Sequence, residues 1–351
     1  MAAIVRLLSL ATAMPAHTLS QRDLMVAAGD YFGASGVAVE RLLPAFLNAG
    51  IDTRHLCEPL DWYQQPIGWK MRNDAFLRHA PALLEDAARR AVADAGLTFA
   101  DIDQIVTVCS TGVATPSLDA LLMERLPFRD DAGRLPIFGL GCAGGVTGLG
   151  AAAKLARAEP GTNVLFLVVE LCTLTFRSGD RRKANIIATA LFGDGAAAAV
   201  VRAQQAANDN PAILHAGERR WPGTLDVMGW DVAEDGLTVL FSRDIPALVR
   251  DRMRQAAADY LARHDLCLAD VDGFIAHPGG AKVLDALEDV FGLQTGGMLD
   301  ARAVLRDHGN MSAATVMFVL DRALRRGLRG RHLMSALGPG FTGSFLTLEA
   351  A

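Results

Sequence analysis

The sequence predicts an α/β protein built from two similar halves packed face to face. Two observations carry this. Short apolar runs alternate with Ala-rich amphipathic stretches, the pattern of strands and helices in alternation. The same ordered series of segments also occurs twice, which argues a duplicated unit whose two copies bury one another.

Taken in order, IVRLLSLATA near the N-terminus has some look of a secretion signal, but its apolar core is short and Arg6 interrupts it, so it reads as a first strand. LLEDAARRAVADAGL is an amphipathic helix. ADIDQIVTVC follows as an acidic turn and an apolar strand, then a Gly/Pro-containing turn and a helix with LDAL at 118–121. The small-residue turn GCAGG opens another helix, NVLFLVVE is a strand, and the Gly-framed FGDGAAAAVV closes the first half. The second half repeats the series: LVRDRMRQAAADYLARHDL as helix, ADVDGFIAH as turn and strand, LDAL at 284–287. Then HGNMSAATVMFVLDRALRRG opens a helix, RHLMSAL is a strand, and GPGFTGSFLTLE closes the half. The halves divide as residues 1–204 and 205–351.

Composition narrows the function. A chain of 351 residues that is 51% hydrophobic and 21% charged has ample material for a large core. A net charge of -5 argues against nucleic acid as a partner, because a phosphate backbone needs a basic face. No apolar run reaches the ~18 residues of a membrane span. The five cysteines are scattered with no CxxC pair, which supports neither a zinc site nor a disulfide framework and fits a reducing cytoplasm.

Three polar residues are expected to converge. ADID and ADVD lie 169 residues apart, and Cys142 and Asn310 lie 168 apart, so these two are expected at corresponding helix starts. His277 ends the apolar strand GFIAH. In packed α/β units, strand ends and helix N-termini meet at the crevice that binds ligands. A helix N-terminus stabilises a thiolate, and a nearby imidazole serves it as base or ion-pair partner. The Gly-rich run GLGCAGGVTGLG therefore reads as a tight turn that exposes the Cys142 thiol. It lacks the Lys and Ser/Thr of a phosphate-binding loop. His277 and Asn310 offer two hydrogen-bond donors for a carbonyl oxygen that becomes an oxyanion or enolate. A lone Cys is more often core, a lone His structural, and an Asn after Gly a turn residue; the three together at matched places favour function.

With these residues in view, the chain resembles the type III polyketide synthases, the chalcone synthase-like condensing enzymes with a thiolase-like fold of layers αβαβα. GLGCAGG around Cys142, ALFGDGAAA, FIAHPGG around His277, HGNMSAA around Asn310 and GPGFTGSF carry the resemblance in order and spacing. It implies an acyltransferase. Cys142 takes an acyl group from a CoA thioester, while His277 and Asn310 hold malonyl-CoA for decarboxylation and steady the enolate that lengthens the chain. It implies no metal or redox cofactor, with CoA thioesters as substrates, a homodimer in the cytoplasm, and a loop, CSTGVATPS with Thr115 near its tip, that walls the partner's cavity. Phe192 matches a gatekeeping phenylalanine, the second gate falls on Val239, and Cys172 and Thr175 line the cavity where plant enzymes carry threonines. Gly340 of the GPG turn is a further substrate-site candidate. The basic cluster that grips CoA phosphates is thin, leaving Arg41, Arg54 and Lys282. LDWYQQPIGWKMRNDAF is similar to bacterial members, among them enzymes that take fatty acyl starters and make alkylpyrones or alkylresorcinols.

Other readings differ at particular residues. An initiating ketoacyl-carrier-protein synthase shares Cys, His and Asn but carries HQAN where this chain has HPGGAK. A thiolase wants a second catalytic Cys near the C-terminus, whereas the last cysteine here is Cys267. A hydroxymethylglutaryl synthase wants an early general-base Glu. A non-catalytic acyl-CoA-binding homologue would have lost one of the three residues.

Overall fold

The computed structural model describes residues 3–34, 43–177, 180–205 and 209–351. Its strands are β1 (Ile4–Ala13), β2 (His17–Ser20), β3 (Thr53–Leu56), β4 (Gln104–Cys109), β5 (Gly133–Phe138), β6 (Asn163–Leu171), β7 (Asp194–Gln204), β8 (Ala212–Arg220), β9 (Met228–Ala233), β10 (Gly236–Phe241), β11 (Gly273–Ala276), β12 (Gly330–Gly338) and β13 (Thr342–Ala350). The helices are α1 (Gln21–Ala34), α2 (Leu43–Leu47), α3 (Leu60–Tyr63), α4 (Trp69–Asp94), α5 (Leu118–Met123), α6 (Gly144–Ala158), α7 (Lys183–Leu191), α8 (Ile245–Ala262), α9 (Ala281–Phe291), α10 (Leu299–His308) and α11 (Thr315–Arg325).

The duplication is visible in the strand pairing. In the first half β4 pairs parallel with β6, β6 antiparallel with β7, and β7 antiparallel with β1. In the second half β11, β12, β13 and β8 follow the same parallel, antiparallel, antiparallel sequence. A short antiparallel contact between β1 and β8 joins the halves, and β5 extends the first half alone. The halves fold over α6 and α11. α6 packs on β4, β6 and β7 of its own half and on β8, β12 and β13 of the other. α4 covers the outer face of β1, β6 and β7, and α8 that of β8 and β13, which completes the layers αβαβα.

β6 shows why the run 164–169 is continuously apolar rather than alternating. All nine of its residues are buried. Val164, Phe166 and Val168 face the core shared by the halves, with Val146 and Leu149 of α6. Leu165, Leu167 and Val169 face α4 and pack with Leu84, Ala87 and Ala91. A strand covered on both faces is apolar along its middle, and its two polar residues, Asn163 and Glu170, stand near its ends and are hydrogen-bonded.

The helix starts differ from the expected correspondence. Short 3-10 turns open both central helices, Gly141–Ala143 before α6 and Ser312–Ala314 before α11. Equating those turns places Cys142 opposite Ala313, not Asn310. Asn310 stands just before its turn, in a bridge with Phe192. The difference arises before the turns: Asp103 of ADID lies 38 residues ahead of Gly141, whereas Asp272 of ADVD lies 40 ahead of Ser312.

Candidate active site

Cys142 sits in the turn that opens α6. Gly141 adopts φ +47°, and a Cβ there would lie 2.7 Å from Pro339 Cδ. One turn on, a Cβ on Gly145 would lie 2.3 Å from the Ala313 carbonyl oxygen. These glycines let the turns of the two halves press together at the nucleophile. His277 follows β11, and its backbone N–H donates to Ser335 O at 2.8 Å. The side chain is buried and neither ring nitrogen has a hydrogen-bond partner among the described residues. Asn310 is fixed at every end. Its N–H donates to Leu191 O (2.8 Å), its carbonyl accepts from Gly193 N (3.0 Å), Oδ1 accepts from Ser312 N (2.8 Å), and Nδ2 donates to Gly279 O (3.2 Å). With Oδ1 engaged, the amide presents its NH2 toward the His277 loop.

Cys142, His277 and Asn310 line one buried pocket, walled by apolar side chains including Met228 and Phe241. Burial pushes the Cys142 thiol up to about 12, against hydrogen-bonding contacts with Ser312 and Asn310 that pull it down. Burial likewise holds His277 at about 3. In this buried pocket both groups favour their neutral forms, so burial outweighs the resting thiolate expected at the helix end. Passing the thiol proton to the imidazole creates two opposite charges together, and each offsets the other's cost of burial.

Sequence reasoning missed the residues behind the thiol. Cys142 Sγ donates to Ser312 Oγ at 3.6 Å, and Ser312 Oγ donates to the Glu170 carboxylate at 3.4 Å. Glu170 also accepts from Ser110 N (3.0 Å), Ser110 Oγ (2.7 Å) and Thr111 Oγ1 (2.8 Å). It is fully buried, and burial raises it to about 7 against these hydrogen bonds. The signal was present: one acid in the run NVLFLVVEL is a buried charge, which needs partners and often a role.

A second, apolar cavity lies beyond Phe192. Phe192, Cys172, Thr175 and Val239 all line it, together with Leu24 and Leu56. Arg54 also borders it but is not an outward phosphate contact. It is 1% exposed, and its guanidinium donates to the carbonyls of Thr189 (2.9 Å), Phe192 (2.8 Å) and Ala190 (2.7 Å) and to Gln21 Oε1. Burial holds it down at about 9. Arg54 thus organises the segment that carries Phe192, which corrects its assignment to CoA. Lys282 is exposed in the first turn of α9, three residues past Gly279 of the pocket wall. Arg41 lies outside the described residues. Thr115 is exposed and lines neither cavity of its own chain. Gly340 lines neither as well; with φ +89° it shapes the turn whose Pro339 rests on Gly141.

Comparison with known proteins places this geometry. The chalcone and stilbene synthase N-terminal domain matches residues 63–205, and the C-terminal domain of the same family matches residues 213–349. The chain belongs to the chalcone and stilbene synthase family, the type III polyketide synthases. A 1,3,6,8-tetrahydroxynaphthalene synthase of Streptomyces peucetius is 38% identical, over 96% of this chain and 91% of that protein. The crystal structure of the Streptomyces coelicolor 1,3,6,8-tetrahydroxynaphthalene synthase superposes with a TM-score of 0.93 at 28% identity, covering 98% of this chain and 99% of that one. PKS-I of the brown alga Ectocarpus siliculosus superposes with a TM-score of 0.93 at 27% identity, covering 100% and 99%. The type III polyketide synthase is therefore an acyltransferase of thiolase-like fold that works on CoA thioesters. Among the described residues no helix is long and apolar enough to cross a membrane.

Proposed function

We propose that the enzyme loads an acyl group from CoA onto Cys142, extends it repeatedly with malonyl-CoA, and cyclises the chain to an alkylpyrone or alkylresorcinol. The observation that carries this is the meeting of Cys142, His277 and Asn310 in one pocket, with a largely apolar cavity beyond Phe192 whose lining suits an acyl tail. His277 accepts the thiol proton as Cys142 attacks the thioester; the C–S bond to CoA breaks, and the imidazolium returns the proton to the leaving thiolate. Malonyl-CoA then binds with its thioester oxygen between a His277 ring N–H and Asn310 Nδ2. Its carboxylate leaves as CO2, and the bonding pair moves onto that oxygen as an enolate. The enolate carbon attacks the acyl group on Cys142, a C–C bond forms, and the Cys142 thiolate departs. Each step is redox-neutral and both oxyanions are met by protein donors, so the scheme uses no metal or redox cofactor. Lys282 and Arg41 are the remaining candidates for the CoA phosphates.

We read the working form as a cytoplasmic homodimer. β5 leaves one edge unpaired at the end of the sheet, and Phe138, Leu135 and the neighbouring Val113 are 58%, 40% and 48% exposed. The Thr115 loop beside them would then wall the partner's cavity. A second product reading comes from the relatives named for tetrahydroxynaphthalene, a fused aromatic with no alkyl tail. Incubating the enzyme with malonyl-CoA and starters from acetyl- to stearoyl-CoA, plus p-coumaroyl-CoA, and reading products by mass spectrometry separates them. Alkyl-bearing pyrones or resorcinols that vanish in Cys142→Ala support the proposal. Naphthalene products from malonyl-CoA alone replace it with the second reading, and condensation only on a carrier protein removes both.

A further inference from the structure

Among the described residues, four side chains that line the Cys142 pocket carry hydrogen-bond donors: Cys142, His277, Asn310 and Ser335. In the scheme above the first three act on the thioester, and Ser335 has no part. Ser335 is 1% exposed, and its Oγ has no hydrogen-bond partner among the described residues. A buried hydroxyl left unpaired weakens a fold, so its presence calls for a reason.

The strand register shows where this hydroxyl points. Ser335 lies in β12, directly opposite Phe345 of β13. Residues directly opposite one another in a sheet share a face. The Phe345 ring stacks on Tyr260 of α8, with centroids 5.3 Å apart and planes at 19°. Ser335 therefore points to the side covered by α8. Met253 of α8 and Leu287 of α9 line the same pocket. Cys142 opens α6, which packs on the opposite, central face of β12 and β13. The pocket thus runs from the nucleophile past the end of β12 into an apolar arm beneath α8 and α9, and Ser335 is the polar group of that arm.

Malonyl-CoA brings one group that the scheme leaves unmet. Its thioester oxygen is held by His277 and Asn310, but its carboxylate has no donor. A cation there would stabilise the very charge that must leave as CO2, binding the ground state more than the transition state. A single neutral hydroxyl in an apolar arm orients the carboxylate without holding it tightly.

We propose that Ser335 is a substrate-contact residue for the extender unit, with its Oγ donating to the carboxylate of bound malonyl-CoA. This rests on the malonyl-CoA pose above. The hydrogen bond turns the carboxylate so that the bond joining it to Cα stands across the thioester plane, aligned with the carbonyl π system. As that bond breaks, its electron pair moves to the thioester oxygen held by His277 and Asn310, CO2 leaves, and Ser335 keeps its proton. Ser335 therefore selects malonyl-CoA over thioesters that lack the carboxylate.

The test compares Ser335→Ala, Ser335→Thr and Ser335→Cys. Equilibrium binding of malonyl-CoA and acetyl-CoA is measured in a Cys142→Ala background. Decarboxylation of malonyl-CoA and acylation of Cys142 by hexanoyl-CoA are followed in single turnovers with Cys142 intact. Ser335→Ala lowers the malonyl-to-acetyl binding ratio about tenfold, the size of a lost hydrogen bond to a charged group, and slows decarboxylation of subsaturating malonyl-CoA by a similar factor. Acylation changes less than about twofold, because hexanoyl-CoA has no carboxylate to lose. Ser335→Thr keeps the hydroxyl and holds the ratio within about threefold of the unaltered enzyme. Thermal melts separate this from a role in the fold: replacing an unpaired hydroxyl with Ala leaves Tm unchanged or higher, whereas a structural hydroxyl would lower it. A binding ratio unchanged in Ser335→Ala overturns the contact, as does a lowered Tm with both esters weakened equally. If Ser335→Ala does not fold, Ser335→Cys, similar in size and a weak donor, decides by the same ratio. Failure of every acyl-CoA to load Cys142 overturns the loading reading instead, and the binding ratio still judges Ser335.

Discussion

At Asn310 two backbone hydrogen bonds fix the residue and two more orient its amide, Oδ1 accepting from Ser312 N and Nδ2 donating to Gly279 O, which leaves the second NH2 hydrogen to face substrate. Asn310→Ala removes one donor to the enolate oxygen, so malonyl-CoA decarboxylation falls about a hundredfold while acylation of Cys142 persists; single-turnover assays of the two steps check this. Glu170 makes a different prediction. Its carboxyl is raised from an ordinary 4.5 to about 7 by burial, so the folded enzyme holds this proton to higher pH than the unfolded chain does. The stabilisation is complete below about 4.5 and is lost as pH rises through 7. Asp194, raised to about 6 by burial, adds to the same slope. Denaturant melts from pH 5 to 8 should show stability declining, and Glu170→Gln should remove up to about 3 kcal/mol of that decline. The convergence of Cys142, His277 and Asn310 on one pocket was legible in the sequence because strand ends and helix-opening turns meet between packed halves. Ser312 was not, because a serine declares a role only through the two groups it bridges.

Among the elements, the turns that open α6 and α11 are the most constrained. Gly145 meets the Ala313 carbonyl, and backbone cannot move aside as a side-chain tip can. Gly145→Ala should therefore force the two turns apart, costing about 1–3 kcal/mol of stability and most of the activity. Calorimetry beside the product assay checks both. Glycine runs and alternating segments marked these elements correctly as turns, strands and helices. The pairing of Cys142 with Asn310 failed by three residues, because the segments that lead into the two turns differ in length without changing the order of elements. Arg54 misled for a related reason. A basic residue in sequence looks like a surface cation, and only the fold shows the carbonyls that surround it.

For the whole molecule, two duplicated halves fold over two central helices, and the pocket forms where their helix-opening turns meet. That architecture was legible because an ordered repeat constrains topology more than any one segment does. The arm of the pocket that holds Ser335 was not, since it depends on the register that sets Ser335 opposite Phe345. The unpaired edge of β5 predicts a dimer, and Phe138→Glu should shift sedimentation from dimer to monomer. The central claim is that Cys142 carries the growing chain. Intact-mass spectrometry after incubation with palmitoyl-CoA alone, followed by peptide mapping, tests it most directly. The account predicts one added palmitoyl group, mapped to the peptide of Cys142, released as condensation product when malonyl-CoA is added, and absent from Cys142→Ala. An adduct on another cysteine, or turnover that persists in Cys142→Ala, would contradict it.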